Sequence, residues 1–228
     1  MYRLYWKRAT GAFAPNCVLA EAGAPHERVL VDVAAGEHHG SEYLKLNPRG
    51  QIPALVLPDG TVMTESLAIV LQLCDSFPEA GLLPAPGSSR RARCLRWMTF
   101  GAVDLYEADL RFSYAERYTV DPAGVEGVRE AGRLAVERDW RLIEAALGET
   151  EQHEGEGPFL LGGRFTAADI HLAMLGGWHH DIPAFLEASP RAARLMRAVA
   201  ARPAIAPLWR DYYGHKPAIA GFGEASAS

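Results

Sequence analysis

Short apolar runs alternate with amphipathic stretches over the first third of the chain, and beyond about residue 90 only helical spacing remains. Arg3-Leu4-Tyr5-Trp6 is an aromatic-rich strand candidate. A loop, Thr10-Gly11-Ala12, precedes a helix predicted over about residues 14–22, with Pro15 tolerated in its first turn and Gly23 just past its end. Val29-Leu30-Val31-Asp32-Val33 reads as a β-branched strand, which makes a strand–helix–strand unit with parallel strands. A short helical segment at Glu42-Tyr43-Leu44 is broken by Asn47-Pro48-Arg49-Gly50. Ala54-Leu55-Val56-Leu57 and Thr61-Val62-Met63 flank Pro58-Asp59-Gly60, a hairpin signal. Glu65-Ser66 then opens an amphipathic helix carrying Leu67, Ile69, Val70, Leu73 and Cys74, which stops before Pro78. The order β-α-β-α-β-β-α implies a mixed sheet with helices on its faces.

Residues 79–89 hold two prolines and two glycines and read as a linker. Helices are predicted over about 90–118, over 125–147 with a stop at Gly148, from Phe165 through Ile170 onward, and over 191–200 and 204–213. Residues 149–157 look acidic and flexible, and residues 221–228 are expected to fray. The expected division is therefore 1–78, a linker at 79–89, and an all-helical part at 90–228.

Composition narrows the function. The 23 Lys+Arg against 28 Asp+Glu give a net charge of -5, which argues against nucleic acid or an anionic membrane as partner. No apolar run is long enough for a membrane span, and residues 1–7 read as a strand rather than a signal peptide. Cys17, Cys74 and Cys94 are odd in number and widely spaced, which fits a reducing cytoplasm and neither a disulfide framework nor a cysteine metal site.

The chemistry concentrates in Asn47-Pro48-Arg49-Gly50-Gln51-Ile52-Pro53-Ala54-Leu55 and in Thr64-Glu65-Ser66. Pro53 removes a ladder donor at a strand start, and an X-Pro bond there can be cis, which turns the Ile52 backbone outward. Ile52 then offers its N–H and C=O to an extended peptide by strand addition. The alternative is a trans Pro53 that merely ends a strand. Glu65-Ser66 at a helix start presents N–H groups and a hydroxyl to a carboxylate, while the Glu65 carboxylate suits an ammonium group. Together these sites fit a small peptide with a free α-amino acid end; Glu65-Ser66 alone would be only a helix start.

Strand–helix–strand, then NPRGQIPAL, then DGTVMTES, then a helical second part resembles the cytosolic glutathione transferases over essentially the whole chain. LYWKRATGAFAP and NPRGQIPALVLPDGTVMTES look most like the bacterial beta-type members. The resemblance implies an α/β thioredoxin-like N-terminal domain and an all-α C-terminal domain. It implies a homodimer that binds glutathione against Gln51, Ile52, Pro53, Glu65 and Ser66, with an electrophile lodged against the helical part. The nucleophile is then the ligand's thiol. Alignment on Ala14-Pro15 puts Gly11 where beta-type members carry their cysteine, so Thr10 is the candidate thiolate stabiliser, the alternative being a loop or cap threonine. Tyr106 and Phe13 are the candidate electrophile-pocket residues, packing under the first helix being the alternative for Phe13, and Asp104 is the candidate contact to the glutathione of a partner subunit. Reduction of disulfides or peroxides, and glutathione binding without turnover, are the other functions compatible with this pattern.

Thr166-x-x-Asp169 reads as a capping box that serves folding. His38, His39 and Glu42, and likewise His179, His180 and Asp181, have partial metal-like spacing that completes no zinc motif, so no metal is expected. No GxGxxG, GxxxxGK[ST] or GxSxG supports nucleotide or serine-hydrolase chemistry.

Overall fold

The structure, a computed structural model, describes residues 1–224. It holds two compact units, one of Met1–Leu83 with the chain from Ala200 onward, the other of Pro84–Val199.

In the first unit β1 (Tyr2–Trp6), β2 (His26–Leu30), β3 (Ala54–Val56) and β4 (Val62–Met63) form one sheet in the order β2-β1-β3-β4. β2 is parallel to β1, with α1 (Phe13–Glu21) as the crossover, while β3 and β4 are antiparallel neighbours. The Asp-Gly turn closes the hairpin: Gly60 takes φ 92, and the Thr61 N–H donates to the Asp59 carboxylate at 2.9 Å. β2 lies three residues earlier than its apolar run, because β1 has only five residues to pair and the ladder ends once the Val31 N–H has reached the Trp6 carbonyl. α1 and α3 (Ser66–Ser76) pack against each other. α3 buries Ile69, Val70, Leu73 and Cys74, each large aliphatic one contributing about 1.5–3 kcal/mol.

The chain from Ala200 onward belongs to this unit, so the expected helical domain of residues 90–228 gives up its last part. α10 (Ala206–Tyr213) places Trp209, Tyr212 and Tyr213, all fully buried, around Phe13 at ring separations of 5.7, 5.2 and 5.2 Å. Arg202 grips the Glu21 carboxylate with two bonds of 2.8 and 2.7 Å. The expected fraying is corrected for residues 221–224: Phe222 is nearly buried and stacks on Trp209, whose indole N–H donates to the Ile219 carbonyl at 2.9 Å. Residues 225–228 lie outside the described residues.

The second unit holds α4 (Ser89–Phe100), α5 (Tyr106–Ser113), α6 (Val125–Glu154), α7 (Ala167–Gly176), α8 (Ile182–Ala188) and nearly all of α9 (Pro190–Ala200). The single helix expected over 90–118 is interrupted by a π-helical stretch, Gly101–Leu105, and ends at Ser113. At Gly101 a Cβ would come within 2.8 Å of the His171 ring, so glycine is what lets α7 cross this closely. α6 runs through Gly148, the expected stop. A Cβ there would meet the Arg191 guanidinium at 3.3 Å, and Arg191 lies across this gap to pair with Glu144 and Glu151. That glycine marks a close approach rather than a helix end. α8 has no expectation in the pattern; Asp181 caps it by accepting the Ala184 N–H at 3.1 Å.

The Thr166 capping box is present on α7. Asp169 accepts bonds from the Thr166 N–H, the Thr166 hydroxyl and the Leu160 N–H at 2.7, 2.9 and 2.8 Å. Burial nevertheless pushes its carboxyl up to about 6. No helix among the described residues is long and apolar enough to cross a membrane.

Candidate functional site

The Ile52–Pro53 bond is cis, and Pro53 directly precedes Ala54, which pairs with Tyr5 of β1. Neither the N–H nor the C=O of Ile52 has a hydrogen-bond partner among the described residues, so both are free for an added strand. The loop behind them is fixed from two sides. The Tyr43 hydroxyl and the Asn47 side-chain amide both donate to the Gln51 carbonyl, at 2.8 and 2.7 Å. The Asn47 oxygen accepts the Arg49 N–H at 3.1 Å. Gly50, at φ 62, has no room for a side chain, since a Cβ would sit 2.7 Å from His39 Nδ1. Asn47, only 3% exposed, opens the stretch singled out in the sequence, but its clamp role and that of Tyr43, on α2 (Ser41–Leu46), were not read there. Asn47 carried a signal in principle, because Asn before Pro commonly folds its side chain back onto a turn.

α3 begins at Glu65, a non-glycine residue at φ 63 and ψ 106. Such a backbone costs about 1–3 kcal/mol and persists where its surroundings enforce it. No side chain caps this helix start, and the first turn therefore presents its N–H groups outward. The exposed Glu65 carboxylate and the Ser66 hydroxyl have no partners among the described residues.

Gly11 brings these parts together. A Cβ placed on it would stand 3.1 Å from Ser66 Cβ, 3.2 Å from Ser66 Oγ and 3.4 Å from Pro53 Cδ. The turn before α1, the cis proline and the start of α3 thus meet at one point, with a glycine where a side chain would close it. Thr10 sits beside Gly11, but its hydroxyl donates to the Lys7 carbonyl at 2.7 Å and accepts the Ala12 N–H at 3.4 Å. Its proton is thereby committed to closing the turn. Tyr5 packs its ring edge-on to Tyr43 and Trp6 lies under the Arg28 guanidinium, both as packing residues.

The remaining site candidates separate. Phe13 is corrected from pocket wall to core: it is fully buried inside the aromatic cluster of α10. In the second unit Tyr106 meets Trp178 edge-on at 4.9 Å, and Asp104 is exposed on the π-helical stretch near Arg138.

The family model described as Glutathione S-transferase, N-terminal domain, matches residues 15–76. The model described as Glutathione S-transferase, C-terminal domain, matches residues 135–208. Glutathione S-transferase GstA of Escherichia coli O157:H7 is 30% identical over 204 residues, 89% of this chain and 94% of that protein. The chain belongs to the glutathione transferase family. A maleylacetoacetate isomerase of Rhizobium meliloti (strain 1021) is 30% identical over 174 residues, 74% of this chain and 76% of its own. A crystal structure of a glutathione transferase homologue from Sulfitobacter with bound glutathione superposes with a TM-score of 0.77 at 25% identity, covering 93% of this chain and 99% of that one. In this glutathione transferase the matched stretches contain Ile52, Pro53, Glu65 and Ser66 but begin after Thr10 and Gly11 and leave out Asp104 and Tyr106.

Proposed function

We propose that this glutathione transferase binds glutathione along the free backbone edge of Ile52 and activates its thiol for attack on an electrophilic small molecule. The peptide part of glutathione pairs with Ile52 beside Gln51, the α-carboxylate of its γ-glutamyl end sits on the start of α3 with Ser66, and its ammonium group meets Glu65. The observation that supports this most is the meeting of Pro53 and Ser66 at Gly11.

The thiolate follows from the same turn. A free thiol has a pKa of about 8.5, and each unit of lowering needs about 1.4 kcal/mol of preference for the anion. With the Thr10 proton donated to the Lys7 carbonyl, the Gly11 N–H and the positive end of the α1 dipole supply that preference, and Thr10 holds the turn in shape. Conjugation needs no protein thiol, and Cys17, Cys74 and Cys94 are all buried. The bacterial, beta-like character of the sequence without the beta-type cysteine, the cytoplasmic setting, the homodimer, the contribution of Asp104 across it and a pocket role for Tyr106 belong to the same reading.

Three measurements test it: binding to immobilised glutathione, conjugation of chlorodinitrobenzene, and reduction of hydroxyethyl disulfide. Binding with conjugation and without reduction is expected; binding with neither activity refutes the transferase reading and leaves a binding protein. A Thr10→Ala variant is expected to keep the pKa of the bound thiol within about half a unit, below the 1.4 kcal/mol that one unit represents. A larger rise would return the donor role to the Thr10 hydroxyl. Glutathione-dependent isomerisation is the second reading, favoured by the likeness to the Rhizobium isomerase, and turnover of maleylacetoacetate would establish it.

A further inference from the structure

The geometry points to a binding site for a divalent transition-metal ion in the second unit, formed by Glu137 of α6 with His179 and His180 just before α8. Spacing in the sequence joined the two histidines to Asp181 and completed no zinc motif; the fold brings Glu137 to the histidines instead. Its Oε1 lies 3.3 Å from His180 Nε2 and 3.6 Å from His179 Nε2. One ligand atom from each of the three residues falls within 4.8 Å of the others. Ligand atoms held at about 2.0–2.2 Å around one tetrahedral ion stand about 3.3–3.6 Å apart.

Direct hydrogen bonding does not account for the contact between His179 and Glu137. The 3.6 Å between His179 Nε2 and Glu137 is too long, and His179 Nε2 is buried without a hydrogen-bond partner among the described residues. His179 Nδ1 lies 2.9 Å from the Asp181 carbonyl and 3.1 Å from the Asp181 backbone N; the tautomer that donates a ring N–H to that carbonyl leaves Nε2 as a lone pair. That is the outer bond a metal-bound histidine usually makes. In that tautomer the lone pair faces a carboxylate oxygen, and a cation between the two acceptors supplies the missing charge. Arg133, one turn before Glu137, is held by Glu130 through bonds of 2.8 and 2.7 Å. The Asp181 carboxylate is occupied as the cap of α8.

The surroundings give the ion a place and an entrance. Phe185 stacks on His179 at 4.7 Å, His179 on His180 at 4.3 Å, and Phe112 lies 4.8 Å from His180. An ion bound to both Nε2 atoms opens the histidine pair from its near-parallel stack, while the two phenylalanines limit how far each ring turns. The Glu137 side chain is 34% exposed, so the ion enters from solvent and keeps water as a further ligand. Two imidazoles and one carboxylate select zinc, cobalt or nickel over magnesium or calcium. Such an ion would pin α6 to the corner between α7 and α8.

The test uses the full chain without an affinity tag, stripped with a chelator and titrated with Zn²⁺ by calorimetry and with Co²⁺ by visible absorption. One Zn²⁺ per chain, an intense four-coordinate cobalt band and a higher melting temperature are expected. Glu137→Gln and His180→Ala, each checked for folding by circular dichroism, should weaken Zn²⁺ binding at least about tenfold, with glutathione affinity unchanged. If His180→Ala does not fold, His180→Gln replaces it. Absence of saturable Zn²⁺ binding by the wild type, or undiminished binding by the folded variants, overturns the site.

Discussion

A methyl group on Gly11 should do more to this protein than its size suggests. Gly11 is not at a positive φ, so Gly11→Ala tests contact and not backbone strain. The new Cβ would stand 3.1 Å from Ser66 Cβ and 3.4 Å from Pro53 Cδ, where carbon pairs prefer about 3.5–4.0 Å. Both neighbours are stiff, one being a ring on a cis bond and the other the first residue of a helix. The cost expected for such overpacking is about 1–3 kcal/mol. For a chain of this length that lowers the melting temperature by about 2–12 °C. Relief by displacing Ser66 would move its hydroxyl off the carboxylate position proposed for glutathione, a bond to a charged group worth about 1.5–3 kcal/mol, so the dissociation constant is expected to rise about 10- to 150-fold. Calorimetric titration with glutathione and a thermal melt read both effects. A Ser66→Gly background separates them, since removing that side chain should restore most of the melting temperature and none of the affinity. A Gly11→Ala protein that melts and binds glutathione like the wild type would refute the meeting of the three segments at Gly11.

Asp169→Asn keeps shape but turns an acceptor of three hydrogen bonds into a group that must offer N–H to donors; a loss of about 2–4 kcal/mol is expected, read by urea denaturation. Because burial raises the folded pKa of Asp169 to about 6, its proton-linked stability is full below about pH 3.8 and is lost as pH rises through about 6, and the Asn variant should lack that limb. His171 gives the opposite slope. Burial lowers its pKa to about 4, so its contribution is full above about pH 6.5 and is lost as pH falls through about 4, a span of about 3 kcal/mol. His171→Leu should flatten that acid limb in denaturation curves measured from pH 7 to 4; an unchanged slope would mean that the ring is not buried in its neutral form.

The candidate binding surface could be proposed from the sequence because its residues are punctuation marks. Pro53, Gly50 and Glu65-Ser66 each sit where a strand, a turn or a helix begins, and local rules read such positions well. The mixed character of the sheet followed for the same reason, from one crossover and one Asp-Gly hairpin, while its strand order came only with the structure. What stayed hidden depended on partners far along the chain. Phe13 reads equally as pocket wall or core until Trp209, Tyr212 and Tyr213 are seen to surround it. Gly148 looks like a helix stop until Arg191 is seen beside it. Thr10 looked like a donor aimed at a sulfur, and only the Lys7 carbonyl shows where its proton goes. Glu137 carried no metal signal, because nothing in spacing links it to His179 and His180.

The return of the last segment onto α1 has a consequence for synthesis. A ribosome releases Phe13 long before Trp209 and Tyr212 exist, so the first unit must wait, with an aromatic face uncovered, while the whole of Pro84–Val199 is made. The helical unit can fold on its own schedule during that interval, whereas the turn that would hold the glutathione sulfur is braced only when the final helices arrive. In this chain the earliest residues to emerge are among the last to be finished.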